Sequence, residues 1–155
     1  MLFAFRLTTK RSMSLVMTMV QLVLNNWPRA RKKGDPGVPV PLRKGQMALM
    51  AYDLKKDGSA KFRKTLVDYA PEEGPDGLVV DANGNLFVAV RAESRPGIYV
   101  YDPDGKELAY IKTPDLPTNV GFGRGENANL LYITAGNSLY SIRLNTKGYH
   151  LPSKK

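Results

Sequence analysis

Two residues in this sequence combine a type and a position that could do chemistry. Asp76 stands in Pro75-Asp76-Gly77, behind a proline that stiffens its approach and just before the apolar run Leu78-Val79-Val80. Asn119 stands in Pro117-Thr118-Asn119, ahead of Val120-Gly121-Phe122. A carboxylate at the mouth of a strand can offer oxygen to a hard cation, or it can simply cap a turn before a glycine. An asparagine there can touch a substrate or shape the turn. On the residues alone, both readings of each stay open. For Asp76 the turn-capping reading is the commoner on residue type alone, although binding groups are commonly carried on loops held by a stiff scaffold.

The inventory of other groups is short. Cysteine is absent and His150 is the one histidine. That removes disulfides and thiolate metal sites, and argues against Ser-His-Asp and Cys-His mechanisms. Gly121-Phe122-Gly123-Arg124-Gly125 is glycine-rich, but it lacks the spacing of a phosphate-binding loop and no long helix follows it. No Gly-x-Ser-x-Gly elbow is present. His150, in Gly148-Tyr149-His150-Leu151-Pro152, reads as a surface residue of the tail.

The elements that must position Asp76 and Asn119 are strands. Leu78–Val80 and Leu86–Val90 are short runs rich in β-branched and aromatic residues. Asp81-Ala82-Asn83-Gly84 between them is hairpin chemistry, since Asn-Gly tolerates positive φ. Ala48–Asp53 and Phe62–Asp68 flank a Lys56-Asp57-Gly58 turn, and Phe62–Asp68 is expected to pair with the strands around Asp81. Gly97–Asp102 and Leu108–Lys112 flank Asp102-Pro103-Asp104-Gly105. Val120–Phe122 is short, and Leu130–Thr134 and Leu139–Leu144 flank Ala135-Gly136-Asn137-Ser138. About nine strands with turns every eight to twelve residues predict an all-β sandwich, barrel or propeller.

Repetition chooses the propeller. Pro75 and Pro117 are 42 residues apart, and each opens a similar series of strands and hairpins. A period of about 40 to 50 residues with four strands marks a propeller blade. Asn119 is expected to hold, in the second repeat, the place that Asp76 holds in the first. Tyr99, Tyr101, Tyr132 and Tyr140 recur at strand positions that suit packing between blades or an ordinary core.

The same motifs carry a family resemblance. Pro75-Asp76-Gly77, Asp81-Ala82-Asn83-Gly84-Asn85-Leu86-Phe87-Val88-Ala89, Gly97-Ile98-Tyr99-Val100-Tyr101-Asp102-Pro103-Asp104-Gly105-Lys106, Pro117-Thr118-Asn119-Val120-Gly121-Phe122-Gly123 and Leu131-Tyr132-Ile133-Thr134 resemble the gluconolactonase and senescence marker protein (regucalcin) family. The resemblance covers roughly residues 50–150 and implies the C-terminal part of a six-bladed propeller. Such a fold takes roughly 24 strands at four per blade, so this chain is expected to supply two to three blades. The implied activity is hydrolysis of a sugar lactone with a divalent cation, calcium or zinc. The resemblance makes Asp76 a metal ligand and general base, and Asn119 a contact to substrate or to a neighbouring ligand. A glutamate near the family's N-terminus and a Ser-Asn-Gly motif have no counterpart here, which implies an incomplete ligand set and a chain that is inactive alone. Glu72 and Glu73 read as solvated rim, and Arg91 and Arg95 as residues facing either a pocket or, more commonly, solvent. The alternative is a non-catalytic repeat module that self-associates through open blade edges.

The first 46 residues are different. The whole chain of 155 residues carries a net charge of +9. Residues 1–46 hold nine Lys or Arg against one acid, Asp35, and residues 47–155 are nearly neutral. No aromatic interleaving or nucleic-acid fold signature accompanies these basic residues, so nucleic acid is not an expected partner. Met13–Leu24 is an apolar run behind Arg6, Lys10 and Arg11. It lacks a small-residue cleavage site and is shorter than the roughly 20 residues that span a bilayer. A helix is predicted over about 10–26, ended at Trp27-Pro28. Anchoring to a membrane by this segment is a minor alternative. Gly34–Arg43, with Pro36, Pro39 and Pro41, reads as a linker. The predicted organisation is a basic segment over 1–46, an incomplete propeller over 47–150 and a tail over 151–155. Compartment cannot be read: the chain could be cytoplasmic or exported.

Overall fold

The computed structural model describes residues 2–9, 12–19 and 46–150. They form three antiparallel sheets. In the first, β1 (Leu2–Thr9), β2 (Ser12–Met19), β3 (Ala48–Leu54) and β4 (Ala60–Asp68) are paired in chain order. The second holds β5 (Pro75–Val80), β6 (Leu86–Val90), β7 (Gly97–Tyr101) and β8 (Glu107–Lys112), also in order. The third holds β9 (Pro117–Phe122), β10 (Leu130–Ala135) and β11 (Ser138–Arg143). A single 3-10 turn at Gly125–Asn127 interrupts the strands.

The sheets are stacked like successive propeller blades. Strands β6 and β7 are buried along their whole length. Their two faces feed two cores, as expected of a sheet covered on both sides. One face gives Leu78, Val80, Leu86, Val88 and Tyr99 to a cluster shared with Leu49 of the first sheet. The other gives Phe87, Ala89, Ile98 and Val100 to a cluster shared with Val120, Phe122, Leu131 and Ile133 of the third. Phe87 and Phe122 meet edge to face across that second boundary, with centroids 5.2 Å apart. Each fully buried aliphatic side chain contributes about 1.5–3 kcal/mol, so these two seams hold the sheets together. Burial falls off from inside to outside: β4, β8 and β11 are mostly exposed. Strands β1, β5 and β9 each end a sheet, and β5 lies close to both β1 and β9. They mark the common inner side.

Local chemistry explains the hairpins. In the turn after β5, Asp81 Oδ1 accepts the N–H groups of Asn83 and Asn85 at 2.9 and 2.8 Å. In the turn after β7, Asp102 Oδ1 accepts those of Asp104 and Lys106, both at 2.9 Å. Each turn then needs a residue with positive φ, supplied by Gly84 (89°) and Gly105 (94°). The strand bounds over 48–143 follow the sequence reading to within a few residues.

Four expectations are corrected. Residues 12–19 form strand β2 rather than part of a helix, because β2 pairs with β3 along Ser14–Met19 and this long-range ladder overrides local preference. Residues 20–26 and the linker lie outside the described residues. By the same pairing, β1 and β2 complete the first sheet across the boundary drawn at residue 46. Strand β4 pairs with β3 and not with the strands around Asp81, which begin a new sheet. Finally, His150 is half-buried: its Nε2 lies 2.9 Å from the Gly123 carbonyl oxygen. The segment before it runs back across two sheets. Ala82 N–H donates to Lys147 O, Tyr149 N–H to Val80 O, and Gly148 N–H to Ala128 O. Among the described residues, no helix is long and apolar enough to cross a membrane.

Candidate functional site

Asp76 is aimed by a bulge. Pro75 pairs with Val90 and Leu78 with Val88, so Asp76 and Gly77 share the stretch opposite the single residue Ala89. Bulges of this kind re-aim a side chain and occur beside active sites. Strand β9 repeats the device. Pro117 pairs with Ala135 and Asn119 with Thr134, which leaves Thr118 as the extra residue. Both prolines are fully buried and anchor the bulges. In register, Thr118 is therefore the counterpart of Asp76, and Asn119 is the counterpart of Gly77. The expectation that Asn119 holds the place of Asp76 is off by one residue: the equal bulges in β5 and β9 preserve the 42-residue spacing, which runs from Asp76 to Thr118.

The two inner strands nonetheless bring Gly77, the residue after Asp76, against Asn119. A Cβ on Gly77 would lie 2.8 Å from the Asn119 Cα and 2.7 Å from its Cγ. Only glycine allows β5 and β9 to approach so closely. Asn119 Oδ1 accepts its own strand's Val120 N–H at 2.8 Å. That fixes the carboxamide, and its Nδ2 has no hydrogen-bond partner among the described residues. Beside it, the Thr118 and Thr134 hydroxyls are 2.9 Å apart.

The electrostatics at Asp76 oppose one another. Partial burial pushes its carboxyl above the usual carboxylate range, and the nearby Arg91 guanidinium pulls it down. Burial wins. Arg91 follows β6 and its Nε lies 3.5 Å from Glu73 Oε2. Glu73 and Arg91 thus form a rim pair beside Asp76 rather than pointing free into solvent. Arg95 behaves differently. It grips Glu107 through two hydrogen bonds of 3.2 and 2.9 Å and lies over the rings of Tyr99 and Tyr110. It staples a loop to β8 and takes no part in the site. Sequence reasoning missed Thr118, Thr134 and the role of Arg91. The repeat of 42 residues pointed to Thr118, but nothing local pointed to Arg91.

On the open face of the third sheet, Asn119 borders a cleft of about 180 Å³ lined also by Val120, Gly121, Tyr132, Thr134 and Leu139. Among the described residues, no three of His, Cys, Asp or Glu gather where an ion could sit. The oxygen donors at this end are the Asp76 carboxylate and an Asn119 oxygen already occupied by an N–H. Calcium takes about six to eight oxygens, so the described residues fall short of a cation shell.

Comparison with known proteins agrees with this fold. Residues 45–137 match the family profile described as "SMP-30/Gluconolactonase/LRE-like region". A gluconolactonase of Zymomonas mobilis is 37% identical over 89 residues, covering 56% of this chain and 23% of the relative. Regucalcin of Xenopus laevis is 37% identical over 87 residues, covering 54% of this chain and 28% of the relative. The X-ray structure of a candidate gluconolactonase superposes with a TM-score of 0.59 at 30% identity, over 68% of this chain and 34% of that one. The chain thus spans about a quarter to a third of the length of these proteins.

Proposed function

The chain belongs to the SMP-30/gluconolactonase/LRE-like family, and from that premise we propose that it acts as a hydrolase that opens a lactone ring. The observation that carries this reading is the contact between β5 and β9. It sets Asn119 against Gly77, the residue that follows the half-buried Asp76, and in this reading Asp76 and Asn119 act on one substrate. In this reading, Asp76 takes a proton from water whose oxygen adds to the lactone carbonyl carbon. Asn119 Nδ2–H donates to the carbonyl oxygen as it gains charge. The bond from carbonyl carbon to ring oxygen then breaks, and Asp76 returns the proton to the departing oxygen. The product is a hydroxy acid. A divalent cation of the kind the family resemblance implies would need oxygen donors beyond Asp76 and Asn119.

The test is base uptake during hydrolysis of glucono-1,5-lactone, above the rate in water. Asp76→Asn is expected to lower the enzymatic rate by about a hundredfold or more. No rate above water for the wild-type chain, or an unimpaired Asp76→Asn, would overturn the proposal.

A second reading has its own observation. The third sheet has three strands where its neighbours have four, and β11 is its edge. Leu139 and Ile142 on that strand are 67% and 38% exposed. A non-catalytic module would use this edge to pair with another chain. Sedimentation that shows a monomer at high concentration would remove it.

A further inference from the structure

Ring opening turns a neutral lactone into an anion. Lactone and water give a hydroxy acid, and its carboxyl releases a proton to solvent at neutral pH. That carboxylate forms at the carbon that water attacks, close to the Asp76 carboxylate that draws the proton from this water. Two like charges in a half-buried place repel, because little water screens them. Such a site calls for a cation beside Asp76 that is not already committed to another partner.

Two arginines stand in the loop after β6, and their partners separate them. Arg95 is committed: both ends of its fork hold Glu107, at 3.2 and 2.9 Å, and it lies over the Tyr99 and Tyr110 rings. Arg91 is placed differently. Pro75 pairs with Val90, so one step further the register sets Arg91 level with Gly74, next to Glu73 and two residues from Asp76. From there its charge acts on the Asp76 carboxylate. Among the described residues its one hydrogen-bond partner is Glu73, reached through Nε at 3.5 Å, the far limit of such a bond. The Arg91 side chain is 33% exposed and that of Glu73 is 61% exposed. Arg91 is thus held by its surroundings, while Glu73 is largely in solvent. An ion pair this long and this wet contributes little to stability, so another carboxylate can displace Glu73 easily. The two terminal nitrogens of the Arg91 guanidinium have no partner among the described residues. They form a planar fork of the kind that holds a carboxylate by two parallel hydrogen bonds.

We propose that Arg91 is the anchor for the carboxylate that ring opening creates, with Glu73 as its resting counter-ion, so that the site binds a hydroxy carboxylate in preference to the uncharged analogue. The proposal rests on the lactonase reading for the origin of the anion, but anion binding is measured without turnover. Arrival of the carboxylate frees Glu73 to solvent, and departure of the product restores the rim pair.

The probe is D-gluconate, set against D-glucitol, which keeps the hydroxyls and lacks the charge. Dissociation constants are read by NMR chemical-shift titration of the full chain. Wild type is expected to bind gluconate about tenfold more tightly than glucitol. Arg91→Ala is expected to remove that margin and to leave glucitol binding unchanged. Arg91→Lys keeps the charge without the fork, and should restore part of it. Glu73→Gln removes the competing carboxylate at an exposed position, and should tighten gluconate binding several-fold. A merely structural ion pair predicts another pattern: Arg91→Ala and Glu73→Gln both break it, and would shift binding in the same direction. Equal gluconate binding by wild type and Arg91→Ala overturns the anchor. So does weaker binding by Glu73→Gln, or no gluconate binding by wild type. If glucono-1,5-lactone is not hydrolysed but the two variants move gluconate binding in opposite directions, the lactonase reading fails and the carboxylate anchor stands. If the lactone is hydrolysed and gluconate binding ignores Arg91, the anchor fails and the lactonase reading stands.

Discussion

Asn119 lies so close to Gly77 that a Cβ on Gly77 would sit 2.8 Å from the Asn119 Cα. The contact joins two inner strands and sets the spacing between the two candidate site residues. Gly77→Ala is therefore expected to destabilise the chain by about 1–3 kcal/mol, as overpacking against backbone does. Gly121→Ala, with open space at its Cβ, is expected to be neutral or slightly stabilising. Urea midpoints of the two variants check this. Equal midpoints would mean that β5 and β9 do not pack as described.

Asp81 is 1% exposed, yet fully partnered. Besides two backbone N–H groups, its carboxylate accepts Asn85 Nδ2–H at 3.0 Å and Thr146 Oγ1–H at 2.9 Å. It binds the C-terminal segment to the turn after β5. Asp81→Ala takes the shared acceptor from four partly buried bonds, and is expected to lower stability by about 2–3 kcal/mol. Thr146→Val removes one bond and should lower it by about 1 kcal/mol. Limited proteolysis should then cut near residue 146 faster in both variants. Unchanged cleavage would show that the segment is held by something else.

Tyr69 and Tyr101 share a hydrogen bond between hydroxyls, at 3.2 Å. Burial pushes the Tyr101 phenol up to about 12, and burial pushes Tyr69 well above the usual range too. The folded state thus holds protons that the unfolded chain releases near pH 10. Their stabilisation is complete below that pH and declines as pH rises through the raised folded values. Absorbance titration of tyrosinate should show most of the 8 tyrosines ionising first and these two last, together with unfolding. In Tyr69→Phe, Tyr101 loses its partner and the alkaline midpoint should move. A single smooth titration of all tyrosines in folded protein would contradict the pair's burial.

Asp76 and Asn119 supply too few oxygens for a strong cation site. Calorimetric titration with calcium is expected to give a dissociation constant of about 1 mM or weaker, with the heat abolished by Asp76→Ala. Tight binding would mean that further ligands come from residues outside those described. Binding unaffected by Asp76→Ala would place the cation elsewhere.

Much of this molecule was legible in local sequence. Strand Leu86–Val90 and the turns at Asp81 and Asp102 follow from a few adjacent residues, because hairpin geometry depends on which residues tolerate positive φ and which side chains reach back to nearby N–H groups. The 42-residue repeat gave the stacked sheets, and Pro75-Asp76-Gly77 pointed to the end of β5 where the candidate site lies. Tertiary structure decided the rest. Ser12–Met19 is a strand because β3 pairs with it, and an apolar run without clear periodicity carries no record of that partner. The 42-residue spacing already makes Thr118 the counterpart of Asp76, but the bulges in β5 and β9 that carry the two residues show only when the opposite strand is present. Thr146 meets Asp81, and Arg91 acts on Asp76, across separations that local preference does not see. Sequence fixes what each short segment prefers, whereas partners are chosen by contacts that close only when the whole chain has folded.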